Sequence, residues 1–98
     1  MPKKSYTSTG RSCRVTFYLP PAVTAETVAL CGEFNEWDPV AHPMGKKKDG
    51  TFYTSLYLDT GRSYRYRFLL DGERWENDWE ADTYARNEHG TEDSVITV

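Results

Sequence analysis

Three tryptophans carry the chemistry most legible in this chain. Trp37 lies in Asn35-Glu36-Trp37-Asp38, Trp75 in Glu73-Arg74-Trp75-Glu76 and Trp79 in Asn77-Asp78-Trp79-Glu80, so none sits in an apolar run. Core tryptophans have aliphatic neighbours on a strand or helix face. Indoles flanked by charge and amide belong to loops or strand ends, where one ring face stays open. An open indole covers the apolar C–H face of a flat hydroxylated ligand such as a sugar, while neighbouring amides and charges bind its hydroxyls. Asn77, two residues before Trp79, is an amide of that kind.

The elements that must position these residues read as strands. Ser12 to Leu19 alternates, with Cys13, Val15, Phe17 and Leu19 on one face and Arg14, Thr16 and Tyr18 on the other, and Pro20-Pro21 ends it. Thr27 to Gly32 is a short apolar strand and Pro43 to Lys47 a weak one. Thr51 to Leu58 alternates again, placing Tyr53, Ser55 and Tyr57 outward, where with Tyr18 they form cross-strand pairs. Ser63 to Leu70 sets Tyr64, Tyr66, Phe68 and Leu70 against Arg65, Arg67 and Leu69. Asp71-Gly72 then turns the chain toward Trp75, and Ser94 to Val98 is a last strand. Glu80 to Arg86 has room for one helical turn, inside a strandless stretch from Glu76 to Asp93 of the length that functional loops have. Short strands between Gly-containing turns, with no sustained helical period, predict an all-β sandwich of about seven to eight antiparallel strands.

The 98 residues are enough for one domain with a modest core. Residues 1–10 read as a flexible polar tail and 11–98 as the sandwich. The net charge of −3 argues against nucleic acid as the main partner, since phosphate binding needs a basic face. Lys46-Lys47-Lys48 reads as a solvated turn. No apolar run approaches the roughly 18 residues of a membrane span, and the N-terminus lacks a signal core. Alternation turns Cys13 inward and Cys31 outward, which predicts no disulfide, and two free thiols fit the cytoplasm. His42 and His89 are too isolated to argue for a metal, and Asp78-Trp79-Glu80-Ala81-Asp82 lacks the glycine and distal glutamate of a calcium loop. No cofactor motif and no nucleophile or phosphate-loop signature is present, which predicts a non-catalytic chain.

Two segments and the C-terminal strand resemble a known family. Gly32-Glu33-Phe34-Asn35-Glu36-Trp37 looks like the Gly-x-Phe-Asn-x-Trp signature of carbohydrate-binding module family 48. Tyr64-Arg65-Tyr66-Arg67-Phe68, followed by Asp71-Gly72 and Trp75, resembles its central hairpin, and Gly90 to Val98 its closing strand. The family includes the glycogen-binding domain of the AMP-activated protein kinase beta subunit and the N-terminal domains of isoamylases and branching enzymes. The resemblance implies an immunoglobulin-like early-set fold and a ligand of α-1,4-glucan type: glycogen, starch or maltooligosaccharide. It places Trp37, Trp75, Arg67 and Thr91 on binding positions. His89 stands where kinase-type domains have an aliphatic residue and Asp93 where they have an asparagine. Glu73-Arg74 lengthens the hairpin tip by one residue, and Asp78-Trp79 replaces a common Asp-Pro. The alternative reading is a regulatory module that docks on a glycan-metabolising enzyme or a kinase through Tyr53, Tyr57 and Leu69.

Overall fold

The computed structural model describes residues 2–98. Nine strands follow in chain order: β1 (Lys3–Tyr6), β2 (Ser12–Tyr18), β3 (Val28–Gly32), β4 (Gly45–Lys46), β5 (Phe52–Asp59), β6 (Ser63–Leu70), β7 (Arg74–Glu76), β8 (Thr83–Arg86) and β9 (Glu92–Thr97), with a 3-10 turn at Glu33–Asn35. One sheet has the order β1-β2-β5-β4 and the other β3-β6-β9-β8, and every pairing is antiparallel. The fold is the all-β, immunoglobulin-like early-set sandwich.

Alternation does what the sequence pattern predicts. Val15 and Phe17 from β2, Leu30 from β3, Tyr66, Phe68 and Leu70 from β6 and Ile96 from β9 are buried between the sheets in one cluster. Phe17 meets the Tyr66 ring edge-on at 4.9 Å. At the outer surface Tyr18 lies directly opposite Tyr53, with the Lys47 ammonium 4.9 Å and 5.5 Å from their ring centres. The middle lysine of the basic run is therefore held on two aromatic faces.

Three expectations need correction. Lys3–Tyr6, assigned to a flexible tail, pairs with β2 in register Lys3↔Thr16 to Tyr6↔Cys13, and Lys4 reaches Asp82 at 2.7 Å; Met1 lies outside the described residues. A fully exposed polar strand has no alternation to read, because its pairing comes from backbone groups that complete the free edge of β2. The helical turn and the strandless stretch are replaced by β8, which pairs with β9 from Thr83↔Val95 to Arg86↔Glu92. Leu69, expected in an exposed patch, is buried opposite Trp75 on the sheet away from Tyr53 and Tyr57.

Both cysteines are free. Cys31 lies off the inter-sheet core on the outer side of β3, as alternation requires, yet it is fully buried because the loop after β3 folds over it. Its Sγ faces the Asp38 carbonyl oxygen at 3.7 Å, and burial, then the Asp38 charge, pushes the thiol pKa up. Among the described residues no helix is long and apolar enough to cross a membrane, and no group of three or more His, Cys, Asp or Glu side chains is placed to hold a metal ion.

Candidate functional site

The site forms where strand pairing changes hands. One edge of β6 is taken by β3. The other is shared end to end by β9, which pairs with Ser63 to Tyr66, and β7, which pairs with Phe68 to Leu70. Asn77 closes the junction: its Nδ2 donates to the Glu92 carbonyl at 2.8 Å, and its Oδ1 accepts from the Ser94 N–H and Oγ. On the outer face above this junction, a groove of about 620 Å³ is lined by Trp37, Trp75, Arg65, Arg67, Asp93 and the β8–β9 turn.

Trp75 arrives on β7, opposite Leu69, and is half exposed. Trp37 arrives on the loop after β3. Glu36 and Trp37 both have left-handed backbones, with φ 55° and 59°. Each such residue costs on the order of 1 kcal/mol when it is not glycine. Local hydrogen bonds hold the conformation: the Trp37 N–H donates to the Gly32 carbonyl at 2.9 Å, Asn35 Nδ2 to the Leu30 carbonyl, and the Gly32 N–H to Asn35 Oδ1. Gly32 is also required sterically, because a Cβ there would stand 2.6 Å from the Arg65 carbonyl oxygen and 2.9 Å from Tyr66 Cβ. The outcome is two indoles 6.4 Å apart between centres and inclined at 74°.

The floor is an ion-pair network. Arg65 and Arg67 project outward from alternate positions of β6. Asp93, buried on β9, takes Arg65 Nη1 on Oδ2 at 3.2 Å and faces Arg67 Nε with Oδ1 at 3.0 Å. The Arg67 Nε–H is not aimed at that oxygen, so the contact is an ion pair without a directed hydrogen bond. Arg67 Nη2 donates to Thr91 Oγ1 at 2.8 Å and to the Glu92 carbonyl, and Arg65 Nη1 also reaches the Arg86 carbonyl on β8. Asn87 organises the turn: its Nδ2 donates to Thr91 Oγ1 and Asp93 Oδ1, and its Oδ1 accepts from the His89 and Thr91 N–H groups.

Six of the eight residues singled out from sequence therefore meet at one groove: Trp37, Trp75, Arg67, His89, Thr91 and Asp93. Asn77 and Trp79 do not line it. Asn77 is spent on the β7–β9 junction, and Trp79, exposed, donates from Nε1 to Glu76 at 3.0 Å. Arg65, Asn87 and Glu88 line the groove without having been singled out. The signal for Arg65 was its place two residues from Arg67 on the same strand face.

The family model for Carbohydrate-binding module 48 (Isoamylase N-terminal domain) matches residues 5–85. The chain belongs to this family. As a family 48 module it is a carbohydrate-binding domain, and it resembles 1,4-alpha-glucan branching enzymes. It is 40% identical to that of Aquifex aeolicus (strain VF5) over 62 residues, which are 60% of this chain and 10% of the enzyme. With the enzyme of Butyrivibrio fibrisolvens it shares 32% over 69 residues, 70% of this chain and 11% of the enzyme. With a branching enzyme of Xanthomonas campestris pv. campestris (strain 8004) it shares 37% over 46 residues, 46% of this chain and 6% of the enzyme. The module thus spans about a tenth of the length of the curated relatives it matches. His89, Thr91 and Asp93 lie beyond the family match and join Trp37 and Trp75 through the pairing of β9 with β6.

Proposed function

We propose that this module binds α-1,4-linked glucan in the groove between Trp37, Trp75 and the β8–β9 turn, stacking glucose rings on the two indoles and directing sugar hydroxyls to the Arg65–Asp93–Arg67 floor. The observation that carries this reading is the pair of neighbouring indoles, 6.4 Å apart, set above charged hydrogen-bonding groups on one open groove. Carbohydrate binding is the family's property, and the similarity to 1,4-alpha-glucan branching enzymes favours α-1,4-glucan over other sugars. Stacking on an aromatic contributes about 1 kcal/mol beyond buried area. Two platforms and a few solvent-accessible hydrogen bonds correspond to a Kd between roughly 1 mM and 1 μM.

Calorimetric titration with maltoheptaose and β-cyclodextrin tests the proposal. Wild type binds, and Trp37→Ala and Trp75→Ala each weaken binding by about tenfold or more, the equivalent of about 1.4 kcal/mol. Absence of binding by the wild type, or undiminished binding by both variants, overturns it.

A further inference from the structure

We propose that Asp93 sets the ligand class of the groove: its carboxylate holds the two floor arginines in place and cancels one of their charges, so the site favours a neutral polysaccharide over an anionic one. The proposal rests on the groove being the glucan site and adds what selects the charge of the ligand.

Arg65 and Arg67 stand two positions apart on the same face of β6, and two guanidiniums so placed repel each other unless an anion lies between them. Asp93 is that anion. It is buried, it contacts both arginines and the Asn87 amide, and its oxygens are thereby engaged inside the protein. An aspartate at this position is therefore a positioning residue. Within the floor, the groups left to face a ligand are the remaining guanidinium N–H groups. The other charged group in the lining, Glu88, extends from the turn with its side chain 88% exposed, where water screens it. With Asp93 ionised, the floor carries one net positive charge, offset at the rim by Glu88. With an amide at position 93 the floor carries two, and nothing anionic fixes the guanidiniums. A rigid, nearly neutral donor floor suits sugar hydroxyls. A loose dicationic floor suits sulfate or phosphate groups.

The test compares wild type, Asp93→Asn and Arg65→Gln against two probes, maltoheptaose and low-molecular-weight dextran sulfate, at about 50 mM and 200 mM salt. Asp93→Asn is expected to bind maltoheptaose about five- to tenfold more weakly, through loss of arginine pre-organisation. It is expected to bind dextran sulfate about tenfold more tightly at low salt, with the gain fading at high salt. Arg65→Gln keeps the Asp93–Arg67 pair and lowers the floor charge, so dextran sulfate binding falls below wild type; this variant reads the charge balance even where Asp93→Asn does not fold. The rest of the surface is common to all three proteins, so differences between them report the groove. A folded Asp93→Asn protein with wild-type preference for both probes overturns the proposal, as does unchanged dextran sulfate binding by Arg65→Gln. Failure of wild type to bind maltoheptaose overturns the glucan reading instead and leaves the dextran sulfate comparison to decide the role of Asp93.

Discussion

Gly32→Ala should separate the frame from the site. The substituted Cβ would stand 2.6 Å from the Arg65 carbonyl oxygen, 2.8 Å from Phe34 Cζ and 2.9 Å from Tyr66 Cβ, all closer than real Cβ contacts come. Two of these obstacles are fixed to the β6 backbone, so the strain goes either into opening the β3–β6 pairing or into displacing the Phe34 ring and the loop behind it. Overpacking of this kind costs about 1–3 kcal/mol. A domain of this length loses about 4–8 °C of Tm per kcal/mol, so Tm should fall by roughly 5–20 °C. The loop that moves begins with the Gly32 carbonyl that accepts from the Trp37 N–H, so the indole moves with it. Thermal unfolding followed by circular dichroism gives the first number. Maltoheptaose titration well below the variant's Tm gives the second, expected to be a loss of affinity of about tenfold. A Tm within about 2 °C of wild type together with unchanged affinity refutes the reasoning, since Gly32 would then be neither sterically required nor coupled to Trp37.

Asn77→Ala should cost on the order of 1–3 kcal/mol in denaturant unfolding, because it unpairs Glu92 and Ser94 at the β7–β9 junction, while the folded variant keeps maltoheptaose affinity within about twofold. Trp79→Ala should change neither quantity, and a clear loss of binding would extend the site beyond the groove. Tyr66 donates to the buried carboxylate of Asp78 at 2.7 Å, and burial, then the Asp78 charge, pushes its phenol far above the ordinary value of 10.0. The folded chain therefore holds a proton that the unfolded chain releases above pH ~10, and stability falls by about 1.4 kcal/mol per pH unit beyond that point. Urea unfolding at pH 7 and at about pH 11 should show a smaller alkaline loss in Tyr66→Phe, and an equal loss in both proteins would count against it.

Strands that bury one face announced themselves. β2, β5 and β6 alternate because each has a core side and a water side, and their bounds fall within a residue or so of the pattern. β1 and β8 did not, since Lys3-Lys4-Ser5-Tyr6 and Thr83-Tyr84-Ala85-Arg86 bury almost nothing and owe their existence to the backbone edges of β2 and β9. The groove was legible wherever a side chain carried its own motif, as with Trp37, Trp75 and Arg67. Asn87 was hidden because its role depends on which strand lies beside β9. The same ignorance of neighbours made Leu69 look exposed: outward alternation predicts water, but β7 places Trp75 opposite it.

The inclination of the two indoles has a geometric consequence for whatever rests on them. Planes tilted by 74° cannot both lie flat against a straight ribbon. A polymer that stacks on Trp37 and then on Trp75 must turn its ring planes by most of a right angle, by bending or by twisting, between the two contacts. Chains that coil of their own accord arrive with that turn already made, whereas an extended, cellulose-like chain would have to break its own inter-ring hydrogen bonds to follow. The left-handed backbone at Glu36 and Trp37 is thus the point at which strain held in the protein fixes the inclination of one indole to the other.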